Sequence, residues 1–215
     1  MIKDIEKEVK NIYNLFWIFI FASIFGYFIE GLWTFLKKGV LINHSSVVIG
    51  PFNFAYGIGA IVLTFLLYKR QKDNFLKLFI LGFIGGTILE YLMSFGMELT
   101  LGFTAWSYSS KLWNLNGRVS ILYSICWGIL AIVWVKLIFL NLLKFIKKMD
   151  YNIGKKIAYI LIAFLILDAL LTGIALERSR EKNKGIPPSN KFEEVIDETF
   201  NKEYLQNMFN NNWGE

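Results

Sequence analysis

Five largely apolar runs, each about 20 residues or longer, constrain this chain more than any other feature. The hydrocarbon core of a bilayer is about 30 Å thick and takes about 20 apolar residues as a helix. The runs cover approximately residues 12–36, 47–68, 75–101, 119–141 and 157–176. The expected fold class is therefore all-α: a polytopic membrane helix bundle with about five transmembrane helices in residues 1–176. A polar linker and a C-terminal amphipathic helix are expected in residues 177–215. The first run follows a charged stretch, as a signal peptide would. It is too long for one and lacks a small-residue cleavage site, so a retained anchor is expected.

Charged residues make up 19% of the chain and lie in blocks between the runs, which excludes disorder and an ordinary soluble domain. Cys126 is the one cysteine and His44 the one histidine, so neither an internal disulfide nor a zinc set is expected. The net charge of +6 comes from lysines beside the apolar runs, an arrangement that orients membrane proteins, and nucleic acid is not an expected partner. Lys3, Lys7 and Lys10, the loop at Lys69, Arg70, Lys72 and Lys77, and the segment at Lys144, Lys147, Lys148, Lys155 and Lys156 share one side in a five-span topology. The other side has Lys37, Lys38, Lys111 and Arg118. The expected orientation puts the N-terminus in the cytoplasm and the C-terminus outside, with Lys136 snorkelling to the inner interface. Arg178, Arg180, Lys182 and Lys184 on the outer side run against this trend.

In the tail, Gly185, Pro187 and Pro188 stop any helix. After a cap at Ser189 or Asn190, Phe192, Val195, Ile196, Phe200, Tyr204, Met208 and Phe209 recur at helical spacing. The opposite face carries Glu193, Glu194, Asp197, Glu198 and Glu203. Anionic lipid repels such a face, so docking onto protein is expected.

Spans one and three share more than hydrophobicity. At an offset of sixty residues, Gly26, Ile29, Glu30 and Thr34 align with Gly86, Leu89, Glu90 and Ser94. That pattern suggests a parallel internal repeat, with chance similarity between apolar helices as the alternative. Steps of four give the stripes Ala22, Gly26, Glu30, Thr34 and Gly82, Gly86, Glu90, Ser94, Glu98. Small residues permit close helix approach, and a carboxylate on such a face points into a bundle. The two stripes are expected to meet, and Glu90 and Arg118 are the expected ion pair.

Eight polar residues in or at the ends of the spans fall in the expected outer half. Glu30, Asn53, Tyr56, Glu90, Glu98, Arg118, Ser124 and Asp168 are thus candidates for an acidic pocket. Asn43 and His44 from one outer loop, and Trp106, Tyr108, Asn114 and Asn116 from another, are candidate lid residues and ligand contacts. The aromatic ones also suit an interfacial belt. No catalytic, metal-ligating or cofactor-binding set stands out, so an enzyme is not expected.

As a set, Gly26 to Glu30, Asn43, Gly50 and Pro51, Tyr56, Gly57 and Gly59, Leu89 to Tyr91, Trp106, Tyr108 and Ser109, Asn114, Asn116 to Arg118, and Ser124, Trp127 and Gly128 resemble the bacterial ABC transporter permease family of the CmpB type. The resemblance covers roughly residues 15–135. The chain departs from it at His44, where an arginine is expected, and at Ser107, where an aspartate is expected; either change weakens an ion pair between outer loops. What the resemblance implies is a bacterial inner-membrane protein that transports a small solute, its identity open. Without a G-x-x-x-x-G-K loop, any ATPase must be a separate subunit. A homo-oligomer is a further expected partner state. Two other readings stand beside transport: an accessory or sensor protein recognising an envelope partner or ligand, and, ranked last, an intramembrane enzyme.

Overall fold

A computed structural model describes residues 2–101, 104 and 106–209. In chain order they form α1 (Ile2–Val9), α2 (Ile12–Lys38), α3 (Phe54–Leu67), α4 (Phe75–Leu101), strands β1 (Asn114–Leu115) and β2 (Val119–Ser120), and α5 (Ile121–Val133). A π-helical turn (Trp134–Ile138), α6 (Phe139–Lys148), α7 (Tyr151–Asn183), α8 (Lys191–Thr199) and α9 (Lys202–Phe209) follow. The protein is an all-α membrane bundle. Among the described residues, four stretches are long and apolar enough to cross a bilayer: Ile12–Lys38, Phe75–Thr100, Ile121–Lys148 and Tyr151–Asn183.

The run at 47–68 differs from expectation. Only α3 is helical there, and its 14 residues make about 21 Å, short of the hydrocarbon thickness. Gly50, with φ +88°, and Pro51 block the helix upstream, and Ser45 to Asn53 take a non-helical path.

The chain divides into two compact units: Met1–Ala22 with Ala55–Ala158, and Ser23–Phe54 with Tyr159–Glu215. Within the first, glycines set the packing. A Cβ on Gly82 would lie 2.8 Å from the Trp127 carbonyl oxygen, and one on Gly86 would run into the Trp127 ring. On α3, a Cβ at Gly59 would sit 2.6 Å from the same indole. The small-residue stripe of α4 therefore receives Trp127 of α5. Below this contact, Trp134 donates its indole N–H to Thr64 Oγ1 at 3.0 Å, so the buried indole is satisfied.

The π-helical turn carries Lys136, which donates to the carbonyls of Gln71 and Asp73 at 2.7 and 3.0 Å. It thereby caps the loop between α3 and α4. At the same end, Glu6 and Glu8 of α1 pair with Lys69 at 3.2 Å and Lys147 at 2.7 Å. Glu8 is held below the usual carboxylate range, chiefly by that Lys147 bond. The N-terminal helix, the Lys69 loop and the end of α6 thus gather as the charge pattern required.

In the second unit α2 ends at Gly39, whose φ of +71° and N–H bond to Phe35 O at 2.8 Å close the last turn. The chain then turns back. His44 meets Thr34, and the Asn53 N–H reaches Ser23 O at 3.1 Å, about 15 residues or about 22 Å back along α2 from Lys38. Ser45 to Asn53 is a re-entrant loop beside α2 and α7.

The tail also departs from the single helix expected. Asn190 caps α8, accepting from the Glu193 N–H at 3.0 Å, and the helix stops at Thr199. Asn201 restarts it as α9 by accepting from the Tyr204 N–H at 2.9 Å. The helix at 157–176 in turn extends through the charged segment to Asn183. There Arg178, 4% exposed, binds Asp197 through two nitrogens at 3.1 and 2.8 Å and Glu181 at 2.6 Å.

Candidate functional site

The candidate residues of the first unit gather around the β1–β2 hairpin. Asn116 and Gly117 form its corner with φ of +54° and +68°, and the Arg118 N–H closes it on Leu115 O at 3.0 Å. Asn-Gly is the pair that turns of this kind favour, because both positions need positive φ. Around the corner, Tyr108 N–H donates to Gly117 O at 2.7 Å, Trp106 Nε1–H to Arg118 O at 2.9 Å, and Gly117 N–H to Asn114 Oδ1 at 2.9 Å. The Asn116 amide donates to the Tyr91 hydroxyl at 3.1 Å. These four lid candidates are thus the fabric that holds Arg118 in place.

Arg118 does not pair with Glu90, as the sequence suggested. Its guanidinium bonds Glu98, about two turns further along the α4 stripe, approaches Ser94 Oγ at 3.4 Å, and lies over the rings of Tyr91 and Phe95. The Glu98 bond raises the arginine's already high pKa further. A backbone corner fixes where Arg118 starts, and a long side chain reaches the outermost acid of the stripe.

Glu90 is 6% exposed. Its Oε1 accepts from the Tyr108 hydroxyl at 2.8 Å, and its Oε2 has no hydrogen-bond partner among the described residues. Tyr108 stacks on Tyr123, ring centroids 4.4 Å apart. Beside it, Thr87 Oγ1 and Ser124 Oγ are 2.6 Å apart, and Ser124 donates to Ser120 O at 3.2 Å. Tyr56 stands half-buried in the first turn of α3.

The second unit brings Glu30, Thr34, Asn43, His44 and Asn53 together. Asn53 Nδ2 donates to Glu30 Oε2 at 3.0 Å, His44 Nδ1 is 3.6 Å from Glu30 Oε1, and His44 Nε2 is 2.9 Å from Thr34 Oγ1. Asn43 Oδ1 accepts from the Ser45 N–H at 2.8 Å, and its amide contacts Met208 Sδ at 3.0 Å. Burial, and after it the Lys38 ammonium, holds His44 below the usual histidine pKa.

Asp168 and Thr172 of α7 serve the re-entrant loop. Asp168 Oδ1 accepts from the Ile49 N–H at 3.1 Å and Thr172 Oγ1 from the Val48 N–H at 3.0 Å, while the Tyr204 hydroxyl donates to Val48 O at 2.7 Å. Non-helical backbone at membrane depth is tolerated only where such partners exist. Sequence reasoning assigned Asp168 to the acidic cluster; its visible work is on this backbone. Trp127 entered the sequence reading only through the family resemblance, with no packing role, and Thr172 did not enter it, since neither residue type is unusual in a membrane helix. A recess of about 140 Å³ lined by Ser179, Lys182, Asp197 and Phe200 includes none of the candidates.

The long apolar helices define a multi-pass membrane protein. The family model described as "Putative ABC-transporter type IV" matches residues 17–173, and the chain belongs to that family. No curated protein and no solved structure matches it.

Proposed function

We propose that this protein is the membrane component of a small-solute transporter of the bacterial inner membrane, with Glu30 and Asn53 among the groups that meet solute. The observation that carries this reading is the interrupted second span. Transporters place substrate at discontinuous helices, where unwound backbone and half-helix ends face a cavity rather than lipid. Here the interruption occurs beside two carboxylate-bearing helices in a family of transporter type. In this reading the ends near Lys69 and Lys147 face the cytoplasm, and the hairpin, the mouth of the loop and the tail face outward. In the first unit, Glu90, Glu98 and Arg118 are candidate solute contacts of their own, and Trp106, Tyr108, Asn114 and Asn116 brace the hairpin that holds the arginine.

Tagged protein purified in mild detergent from its own host tests the energy source. A co-purifying ATPase that hydrolyses ATP, stimulated by this chain, supports an ATP-driven permease. Purification of the chain with no ATPase removes that assignment and leaves a carrier acting alone. One observation favours a second reading: α9 is bonded to the re-entrant loop through Tyr204, as a sensor's outward clasp would be. Retained solute uptake after Tyr204→Phe, with loss of binding to an envelope partner, would select it.

A further inference from the structure

We propose that Glu30 and His44 together form a one-proton binding site that ties the mouth of the re-entrant loop to α2. The argument begins at Thr34. Its hydroxyl lies 2.9 Å from Glu30 O, one helical turn back, and 2.9 Å from His44 Nε2. A hydroxyl has one hydrogen to give. Spent on the carbonyl, it leaves the oxygen as an acceptor, so His44 Nε2 must carry the hydrogen for the second contact. Neutral His44 then has a bare Nδ1, and that lone pair faces Glu30 Oε1 at 3.6 Å.

Two acceptors facing each other in a half-buried site repel, and one proton between them converts the repulsion into a hydrogen bond. Either Oε1–H donates to Nδ1, or Nδ1–H donates to a carboxylate; a single proton from water completes both forms, with no other reactant. The Asn53 amide holds the other carboxyl oxygen at 3.0 Å and so fixes which oxygen faces the ring. From α2 the neighbouring charged groups are Glu30 and Lys38, and the cation opposes a second proton on the ring. From α7, Asp168 acts on Ile49, and from the tail, Tyr204 acts on Val48. Loss of the shared proton leaves the carboxylate against the ring's lone pair and loosens the loop at His44.

This site goes beyond the transport reading and stands without it, because its readout needs no solute. His44 is the sole histidine, so ¹⁵N-histidine labelling of the full chain in nanodiscs gives one imidazole spectrum. At pH 7 the wild-type ring should be neutral, protonated at Nε2, with Nδ1 accepting a hydrogen bond. Its titration should show two steps, as coupled groups do, and Glu30→Gln should leave one step displaced by at least about one pH unit from either. A neutral ring protonated at Nδ1 overturns the proposal, and this needs no variant. So does a single step in the wild type, or a titration that Glu30→Gln leaves unchanged.

Discussion

At the scale of single residues, the polar groups in these helices divide by what they bond. Thr172 gives its hydrogen to Asp168 O at 2.7 Å and its lone pair to the Val48 N–H, and Val48 is fully buried. Thr172→Val keeps the shape and orphans that N–H, so a loss of about 1–3 kcal/mol is expected in detergent unfolding. An unchanged midpoint would mean the loop backbone finds another partner. Arg118 and Glu98 pose the opposite case, since half of the Glu98 side chain is exposed. Glu98→Gln should lower stability only slightly, by an amount that vanishes in high salt, whereas a large and salt-independent loss would place the pair out of water. The sequence marks Glu90, Glu98 and Arg118 as ionisable residues in or beside apolar runs. It could not decide which acid the arginine reaches, because that depends on a hairpin corner whose one signal, Asn116–Gly117, was read as loop.

At the scale of elements, spacing and length exposed the helices and concealed their interruptions. Val47, Val48, Ile49 and Phe52 are as apolar as any helix in the chain, so hydropathy ran through them. Gly50–Pro51 was the local sign that the helix starts later. In the tail, periodicity crossed Phe200–Asn201 smoothly, and only the capping habit of asparagine marked the restart. Helix packing was half legible: the glycine stripe on α4 was apparent, but its partner is a tryptophan on α5, and bulk of that kind has no periodic signature. Gly86→Leu should collide with Trp127 and destabilise the protein by about 1–3 kcal/mol, while Gly86→Leu with Trp127→Ala should recover part of the loss. If the double variant is worse than the sum of the singles, the two residues do not share that space.

For the whole molecule, charge asymmetry and the tail carry the predictions. With Cys126→Ala as background, a cysteine at Ser189 should react with an impermeant thiol reagent on intact cells; labelling only after lysis would reverse the proposed orientation. Acid should also release the tail. Asp197 titrates below the ordinary carboxylate range, chiefly through its bond from Arg178, so its contribution is present above the unfolded value near pH 4 and is lost as pH falls through the folded one. Amide protection in α8 and α9, relative to the unstructured rate at each pH, should therefore fall below about pH 4, and Asp197→Asn should bring that lower protection to neutral pH. Protection unchanged down to pH 3 would show that Ile196 and Leu205, both buried, hold the tail without the ion pair.

The re-entrant loop also dictates a sequence of events at the ribosome. Residues 47–68 enter the membrane as an apolar segment, about a hundred residues before Asp168 and Thr172 are translated. Until α7 arrives, the amides of Val48 and Ile49 lack the acceptors that steady their irregular course, and the tail's Tyr204 comes later still. Assembly is thus completed from the carboxyl end. A chain that stalls before α7 holds the Val48 and Ile49 amides without the acceptors that the finished fold gives them.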